Sequence, residues 1–388
     1  MESMPVSVIS ENLPAGRRPT GLIVPPVPPV PRQHGQHSGP VGIAEIAHFD
    51  TILDARSPAE FAEDHLPGAI NTPALDDEER RIVGTLYKQQ GAFEARRVGG
   101  AMVAANLARH LRELWAHQPH SWRPLVYCWR GGLRSGSMVQ WLRLVGWDAQ
   151  QLAGGYKRYR QHVIEQIDTL APTLQLRVLC GPTGSAKTRL LHALAANGAQ
   201  TIDLEALAAH RGSVLGSLPG VDQPSQKQFE TRLASVLSAL DVSQPVWIEA
   251  ESRKIGRIAL PNALINHLRA SPCVYIDAPL DARLDLLLRD YASLGDDPQA
   301  LADKLATLHG LQANDTLERW RAWALDRDLA PLFQELMTMH YDPLYARSQP
   351  GYLKGWAQAQ TITVEKLDEA GLKGAAEMAR RLTRLEPR

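Results

Sequence analysis

Short apolar runs alternate with stretches in which apolar residues recur every three or four positions, the two patterns that separate buried strands from amphipathic helices. Thr51-Ile52-Leu53-Asp54-Ala55 reads as a strand, Pro58 to Asp64 as a short helix opened by Ser57, and Gly100 to Trp115 as a long helix. Leu125-Val126-Tyr127-Cys128 is a second strand and Ser135 to Val145 a second long helix. After a helical stretch from Tyr156 to Leu170, Ala171-Pro172 marks a boundary, and the alternation resumes with strands at Leu176 to Cys180, Gln200 to Asp203, Val246 to Glu249 and Val274 to Asp277. Strands alternating with helices specify a parallel sheet covered on both faces. The region from Pro298 onward is expected to be mostly helical, with Ala313 to Leu325 and Leu329 to Met339 its clearest amphipathic pieces. The expected organisation is a first α/β domain over 41–160 and a second, with a helical C-terminal part, over 161–388.

Residues 1–40 fit neither period. They hold nine of the 27 prolines, including Pro25-Pro26-Val27-Pro28-Pro29-Val30-Pro31, and are expected to form a disordered or polyproline leader. The whole chain has 388 residues, 44% hydrophobic and 22% charged, as expected for a soluble protein of two or three domains. Its 42 basic and 42 acidic side chains exclude a uniformly basic nucleic-acid binder, so any charged partner must be met locally. Such a region exists. Residues 42–87 carry ten acidic and three basic side chains, a net −7, whereas residues 88–162 carry twelve basic and three acidic ones, a net +9. The basic stretch also holds Trp115, Trp122, Trp129, Trp141, Tyr156 and Tyr159, which fits either RNA contact and base stacking or ordinary helix faces with core aromatics. Three cysteines exclude a disulfide scaffold, and without a CxxC pair they offer no zinc site. With no run of 18 apolar residues and no signal-peptide pattern, the expectation is a cytoplasmic protein without a membrane span.

One cysteine stands in a chemical motif. Cys128-Trp129-Arg130-Gly131-Gly132-Leu133-Arg134-Ser135 lies between a strand and a helix, where free N–H groups and the helix dipole favour negative charge. Gly131 and Gly132 let the backbone curl around an anion, and Arg130 and Arg134 add positive charge. A thiolate there suits nucleophilic attack, giving a persulfide, a selenosulfide or a phosphocysteine. Free cysteines are usually buried packing residues, and Cys180 and Cys273 are read so.

Upstream, Leu53-Asp54-Ala55-Arg56-Ser57-Pro58-Ala59-Glu60-Phe61 and His65-Leu66-Pro67-Gly68-Ala69-Ile70-Asn71 resemble, with the cysteine loop, the three signature stretches of the rhodanese superfamily over roughly residues 41–155. The resemblance implies a rhodanese fold with Cys128 as the sulfur- or selenium-carrying nucleophile. Simple sulfurtransferases place four residues between cysteine and arginine. Here there are five, Trp129 to Leu133, a spacing shared with rhodanese-like phosphatases that suits a larger anion.

The second motif is Gly181-Pro182-Thr183-Gly184-Ser185-Ala186-Lys187-Thr188, which follows a strand, opens a helix and resembles the P-loop pattern. Its N–H groups would wrap a phosphate, Lys187 would neutralise it, and Thr188 would be placed to hold magnesium. Ala186 stands where the pattern wants glycine. Glu249, ending an apolar strand, with Glu251 beside it, and Asp203 are the acidic candidates for metal or substrate contact.

The two motifs together resemble the tRNA 2-selenouridine synthase family, which carries its cysteine loop as CWRGG-x-RS. Further stretches fit it across roughly residues 41–350: Gly154-Gly155-Tyr156-Lys157-Arg158-Tyr159-Arg160, His210-Arg211-Gly212-Ser213, Gln223-Pro224-Ser225-Gln226, Trp247 to Gly256, and His340-Tyr341-Asp342-Pro343-Leu344-Tyr345. The resemblance implies tRNA as partner, geranyl diphosphate and selenophosphate as substrates, the latter supplied by its synthase, and no tightly bound cofactor, with magnesium left open. It implies replacement of sulfur by selenium at a wobble 2-thiouridine, through S-geranylation and then selenation. Two rival readings stand beside it. One is a cysteine-dependent phosphatase or sulfurtransferase fused to a P-loop regulator, although Tyr127 occupies the position where such phosphatases carry histidine. The other is a P-loop kinase with a silent rhodanese module, against which Cys128 itself speaks.

Overall fold

In a computed structural model of the chain, residues 39–385 are described, apart from Val214 and Pro219. The expected leader, except Gly39 and Pro40, lies outside them. The fold is α/β with two parallel sheets, one of four strands and one of five, in the chain order expected.

The first sheet contains β1 (Thr51–Asp54), β2 (Ala69–Asn71), β3 (Pro124–Tyr127) and β4 (Gln150–Gln151) in the order β2-β1-β3-β4, all parallel. Its helices are α1 (Pro58–Glu63), α2 (Asp77–Gln90), α3 (Ala92–Glu113), α4 (Leu133–Val145) and α5 (Gly155–Leu170). The strands are short and apolar, so burial on both faces specifies them. Helix α3 begins eight residues before the expected Gly100. Gly99 sits within it because a Cβ there would lie 3.0 Å from Val83 of α2, so the glycine allows the two helices to approach closely. Helix α2 has no fully buried residue, which is why hydrophobic periodicity does not reveal it. Its start is instead fixed by a reciprocal cap between Asp76 and Glu79.

The second sheet has the order β11-β10-β5-β7-β6, also parallel, from β5 (Gln175–Cys180), β6 (Gln200–Ile202), β7 (Pro245–Glu249), β10 (Pro272–Asp277) and β11 (Gly355–Thr363). A hairpin of β8 (Lys254–Ile255) and β9 (Ile258–Ala259) leaves the main sheet. Helices α6 (Lys187–Ala196), α7 (Leu204–Ala208), α8 (Gln226–Ser238), α9 (Asn262–Ala270) and α15 (Glu369–Leu385) flank it. Between β10 and β11 the chain builds a helical subdomain, α10 (Leu280–Asp290), α11 (Pro298–Ala306), α12 (Asn314–Leu325), α13 (Leu329–Glu335) and α14 (Asp342–Tyr352), with a π-helical turn at Leu336–Tyr341 joining the last two. Strand β11 is the exception to the expected helical C-terminal part. It is an edge strand on which Ile362 is buried, so its alanines, glutamines and threonines carry little strand signal.

The sheets are joined through α5, which runs unbroken past residue 160. Its Tyr156, Tyr159, Val163 and Ile167 pack in one apolar cluster with Leu125 and Tyr127 of the first sheet and Leu176, Phe229 and Leu264 of the second unit. Beside this core Asp64 accepts from Tyr156 Oη at 2.7 Å and Thr231 Oγ1 at 3.1 Å, and Arg160 pairs with Glu230. Arg160 therefore fastens the junction.

Candidate functional site

The cysteine loop spans the gap between β3 and α4. Gly132 N–H points at Cys128 Sγ from 3.2 Å, and Ser135 Oγ donates to the same sulfur at 3.1 Å. Gln151 Nε2 holds Ser135 Oγ at 2.7 Å and Gly132 O at 3.1 Å, a support the sequence motif does not announce. From behind, Tyr156 N–H donates to Cys128 O and Lys157 N–H to Trp129 O, each at 2.9 Å. This approach requires glycine at 155, where a Cβ would fall 2.2 Å from Cys128 O. Gly131 takes the left-handed conformation that turns the loop, φ 68°. The result is a sulfur with two converging donors at the N-terminus of a helix, the arrangement a nucleophilic or anion-holding sulfur needs.

The flanking arginines divide. Arg134 Nη1 is bound by Glu60 Oε2 at 2.7 Å. Burial pushes the Glu60 carboxyl up, but the hydrogen bond and charge of Arg134, with Ser57 N–H and Arg80, outweigh it and hold the group below its usual range. Arg134 thus braces α4 against α1, with its charge met by Glu60. Arg130 is exposed and lines a basic groove with Lys157, Arg158 and Gln161.

Burial also decides between the two readings of the aromatic residues. Trp115 and Trp122 are 3% exposed, Tyr156 1% and Tyr159 7%, so all four are core residues. Trp129 is half-buried against the Tyr156 ring, and Trp141 stands at the surface.

The phosphate loop joins β5 to α6. Gly181, Gly184 and Ala186 all have positive φ, 154°, 79° and 62°. A Cβ at Gly181 would lie 2.6 Å from Ser185 Oγ, so the turn demands glycine there. Ala186, by contrast, adopts the left-handed region with its methyl group present. The loop's outer layer comes from far along the chain. Arg283 on α10 donates to Thr183 O at 3.1 Å and is held by both carboxylate oxygens of Asp342 at 3.0 and 2.9 Å, while Tyr345 Oη accepts from Gly181 N–H at 2.5 Å. The stretch His340 to Tyr345 is therefore the brace of the phosphate loop. Lys187 Nζ donates to Gly181 O at 2.9 Å and Pro182 O at 3.3 Å, which keeps its charge at the loop. Ser185 Oγ is buried, with no hydrogen-bond partner among the described residues.

Three glutamates face this loop. Thr188 Oγ1 lies 3.2 Å from Glu205 Oε2 and 3.1 Å from Glu249 Oε2, and Glu205, Glu249 and Glu251 bring carboxylate oxygens within 4.8 Å of one another. Burial pushes all three carboxyls up, Glu251 to about 7; the charge of Glu205 adds to the rise of Glu249 and Glu251, that of Asp203 to the rise of all three, and Lys187 offsets it only in part. Glu249 Oε1 is buried, again without a partner among the described residues. Asp203 stands apart from the trio. It caps α7 through Ala206 N–H at 2.8 Å and meets His192 Nε2 at 2.6 Å, and it is Glu205, two residues later, that reaches Thr188. The loop, the glutamates and Asp203 line one cavity of about 520 Å³ with Arg211, Tyr291, Tyr341 and Tyr345.

Comparison with known proteins agrees with this two-part architecture. The Rhodanese-like domain family matches residues 43–162, and the family described as the tRNA 2-selenouridine synthase AAA domain matches residues 174–312. A tRNA 2-selenouridine synthase from Marinobacter nauticus is 32% identical over 356 residues, covering 80% of this chain and 95% of that protein. The chain belongs to the tRNA 2-selenouridine synthase family. The family member from Aeromonas salmonicida is 36% identical over 328 residues, 76% of this chain and 86% of its own. The one from Nitrosomonas europaea reaches 45% over 244 residues, where the match spans 62% of this chain and 63% of that protein. The AAA-domain match includes the phosphate loop and the three glutamates, whereas Asp342 and Tyr345, which brace the loop, lie beyond it. Among the described residues no helix is long and apolar enough to cross a membrane.

Proposed function

We propose that this chain replaces sulfur by selenium at 2-thiouridine in the wobble position of tRNA, acting in the cytoplasm in two steps at two anion sites. The observation that carries the reading is the pairing, in one chain sharing one core, of a doubly hydrogen-bonded cysteine sulfur with a phosphate loop facing three glutamates. Family membership supplies the transformation, and the chemistry divides naturally between the sites.

At the phosphate loop, the diphosphate of geranyl diphosphate lies against the loop N–H groups and Lys187. The thiocarbonyl sulfur attacks geranyl C1, the C1–O bond breaks, diphosphate leaves with the electron pair, and the N3 proton passes to solvent. A poor leaving group thereby becomes a thioether. A magnesium ion fits beside it: the donors are hard oxygens, and Glu249 Oε1 is a buried oxygen without a partner among the described residues. Glu205, Glu249, Glu251 and Thr188 would hold the ion, which when bound supplies positive charge to the diphosphate.

At the cysteine loop, Cys128 frees the selenium of selenophosphate delivered by its synthase, and the loop, not a bond to the sulfur, carries that selenium. Selenium in that donor is already at the selenide level, so redox-neutral loading has Cys128 sulfur attack phosphorus. The S–P bond forms, the P–Se bond breaks, and hydrogen selenide leaves within the loop while water later frees phosphate from the cysteine. Selenium then adds at C2, the C2–S bond breaks, geranylthiolate departs, and the selenol proton moves to N3. Gly132 N–H and Ser135 Oγ are placed to steady the anion in transit. Arg130, Lys157 and Arg158 give the tRNA backbone a basic groove beside the loop.

The deciding experiment is nucleoside mass spectrometry of tRNA from cells lacking the gene, complemented with wild-type protein or Cys128→Ser. Selenouridine should vanish on deletion and return only with the wild type. Selenouridine that survives deletion refutes the proposal.

A further inference from the structure

The cavity of the phosphate loop does not end at polar groups. Its wall at Thr183, Ser213, Leu287, Tyr291 and Tyr341 is shared with a second crevice that continues to Phe333, Leu336 and Met337. Leu287, Phe333, Leu336 and Met337 are buried and belong to the apolar cluster of the helical subdomain between β10 and β11. A ligand whose phosphate lies in the 181–188 loop therefore has hydrocarbon one side-chain layer away. The loop and the crevice are also mechanically joined. Gly184 packs so closely on α10 that a Cβ there would lie 3.1 Å from Leu287 Cγ, and Leu287 lines both spaces.

As it stands the crevice holds little more than a water, about 20 Å³. Two features let it widen. Met337 is unbranched and adaptable, the side chain best able to move aside for an incoming chain. Leu336, Met337 and Tyr341 all sit on the π-helical turn Leu336–Tyr341, a local under-winding that places an extra residue in the helix wall and recurs at functional sites.

We infer that this crevice takes the hydrocarbon chain of the diphosphate substrate, and that Phe333, Leu336 and Met337 set the chain length. The inference rests on the reading that the phosphate loop holds an alkyl diphosphate. It accounts for why a phosphate loop is roofed by a helical subdomain with its own apolar core, and why that subdomain also supplies Arg283, Asp342 and Tyr345 to the loop.

The test is calorimetric binding of inorganic, dimethylallyl, geranyl, farnesyl and adenosine diphosphates to the full chain, with Leu336→Trp, Met337→Trp and Met337→Ala variants whose folding is checked by circular dichroism. Each buried methylene strengthens binding roughly fourfold, so geranyl diphosphate should bind at least tenfold tighter than the dimethylallyl compound. The tryptophan variants should erase that advantage while inorganic diphosphate stays within twofold of wild type. Met337→Ala should shift preference toward farnesyl by about fivefold or more, which keeps the test decisive if a tryptophan variant does not fold. A geranyl advantage unchanged in every folded variant overturns the inference, as does tighter binding of adenosine diphosphate than of geranyl diphosphate. Transfer to 2-thiouridine RNA is measured separately. Chain-dependent binding without transfer refutes the proposed reaction and supports the crevice; transfer with no chain-length response in the variants does the reverse.

Discussion

Both anion loops follow a parallel strand and open a helix, but they are braced in opposite ways. The cysteine loop is held by neighbours in sequence: Gln151, Gly155, Tyr156 and Lys157 all lie within 29 residues of Cys128. The phosphate loop is held by Arg283, Asp342 and Tyr345, 100 residues or more away. The first is a preset site whose donors already meet the sulfur. The second depends on how the helical subdomain is seated, which makes it the site where ligand binding and subdomain position are linked.

The largest expected effects separate the two sites chemically. Cys128→Ser should lower selenation by at least about a hundredfold while geranylation proceeds, so that geranylated tRNA accumulates in the nucleoside spectrum. Lys187→Ala should do the converse, weakening geranylation by roughly ten- to a hundredfold while RNA that is already geranylated is selenated at the wild-type rate. Equal loss of both steps in either variant would mean that the sites are not divided as proposed.

A smaller effect tests the bracing. Tyr345→Phe leaves Gly181 N–H without its buried acceptor and should cost about 1–3 kcal/mol, with weaker diphosphate binding. Gln151→Ala, at the other loop, should leave diphosphate binding unchanged and slow selenation alone. Thermal unfolding and diphosphate titration of both variants check this asymmetry.

The same contrast explains what the sequence discloses. The cysteine loop was legible because its motif, its glycines and its supporting turn are contiguous, and Cys180 and Cys273 are buried as expected. The P-loop itself was equally plain. Its partners were less so: Asp203 draws attention at the end of an apolar run and caps α7 at the wall of the cavity, while Glu205, which reaches Thr188 from inside the short helix α7, gives no such signal. Arg134 stands out in sequence by its charge, whereas Glu60, its partner 74 residues upstream, becomes apparent only in three dimensions. Aromatic residues in a basic stretch likewise carry no mark of burial. Strand β11 was hidden because an exposed edge strand need not be apolar.

The glutamate cluster predicts a pH dependence with a definite sign. Burial and the neighbouring carboxylates raise the folded-state pKa of Glu251 to about 7, above its unfolded value, so the protonated form is favoured on folding. The stabilisation it gives is present below the unfolded pKa and is lost as pH rises through about 7. Melting temperature should therefore fall across that window, Glu251→Gln should flatten the fall, and magnesium should restore stability above pH 7 by replacing the protons. A magnesium effect that is the same at pH 5 and pH 8 would contradict a carboxylate-held ion.

The smallest effect concerns Ala186. Left-handed backbone costs an L-residue roughly 1–2 kcal/mol, and Ala186 bears that cost at φ 62°, ψ 28°. Glycine would relieve it, but glycine also loses more entropy on folding, about 0.5–1 kcal/mol. Ala186→Gly should thus stabilise the fold by no more than about 1 kcal/mol, readable in a denaturant titration with unchanged slope. Ala186 is 7% exposed and belongs to the apolar cluster of Leu179, Leu190 and Ile276, so loss of its methyl group should leave diphosphate affinity within twofold. A large gain in affinity would instead show that alanine restrains this loop, and would move the phosphate site closer in character to the preset cysteine loop.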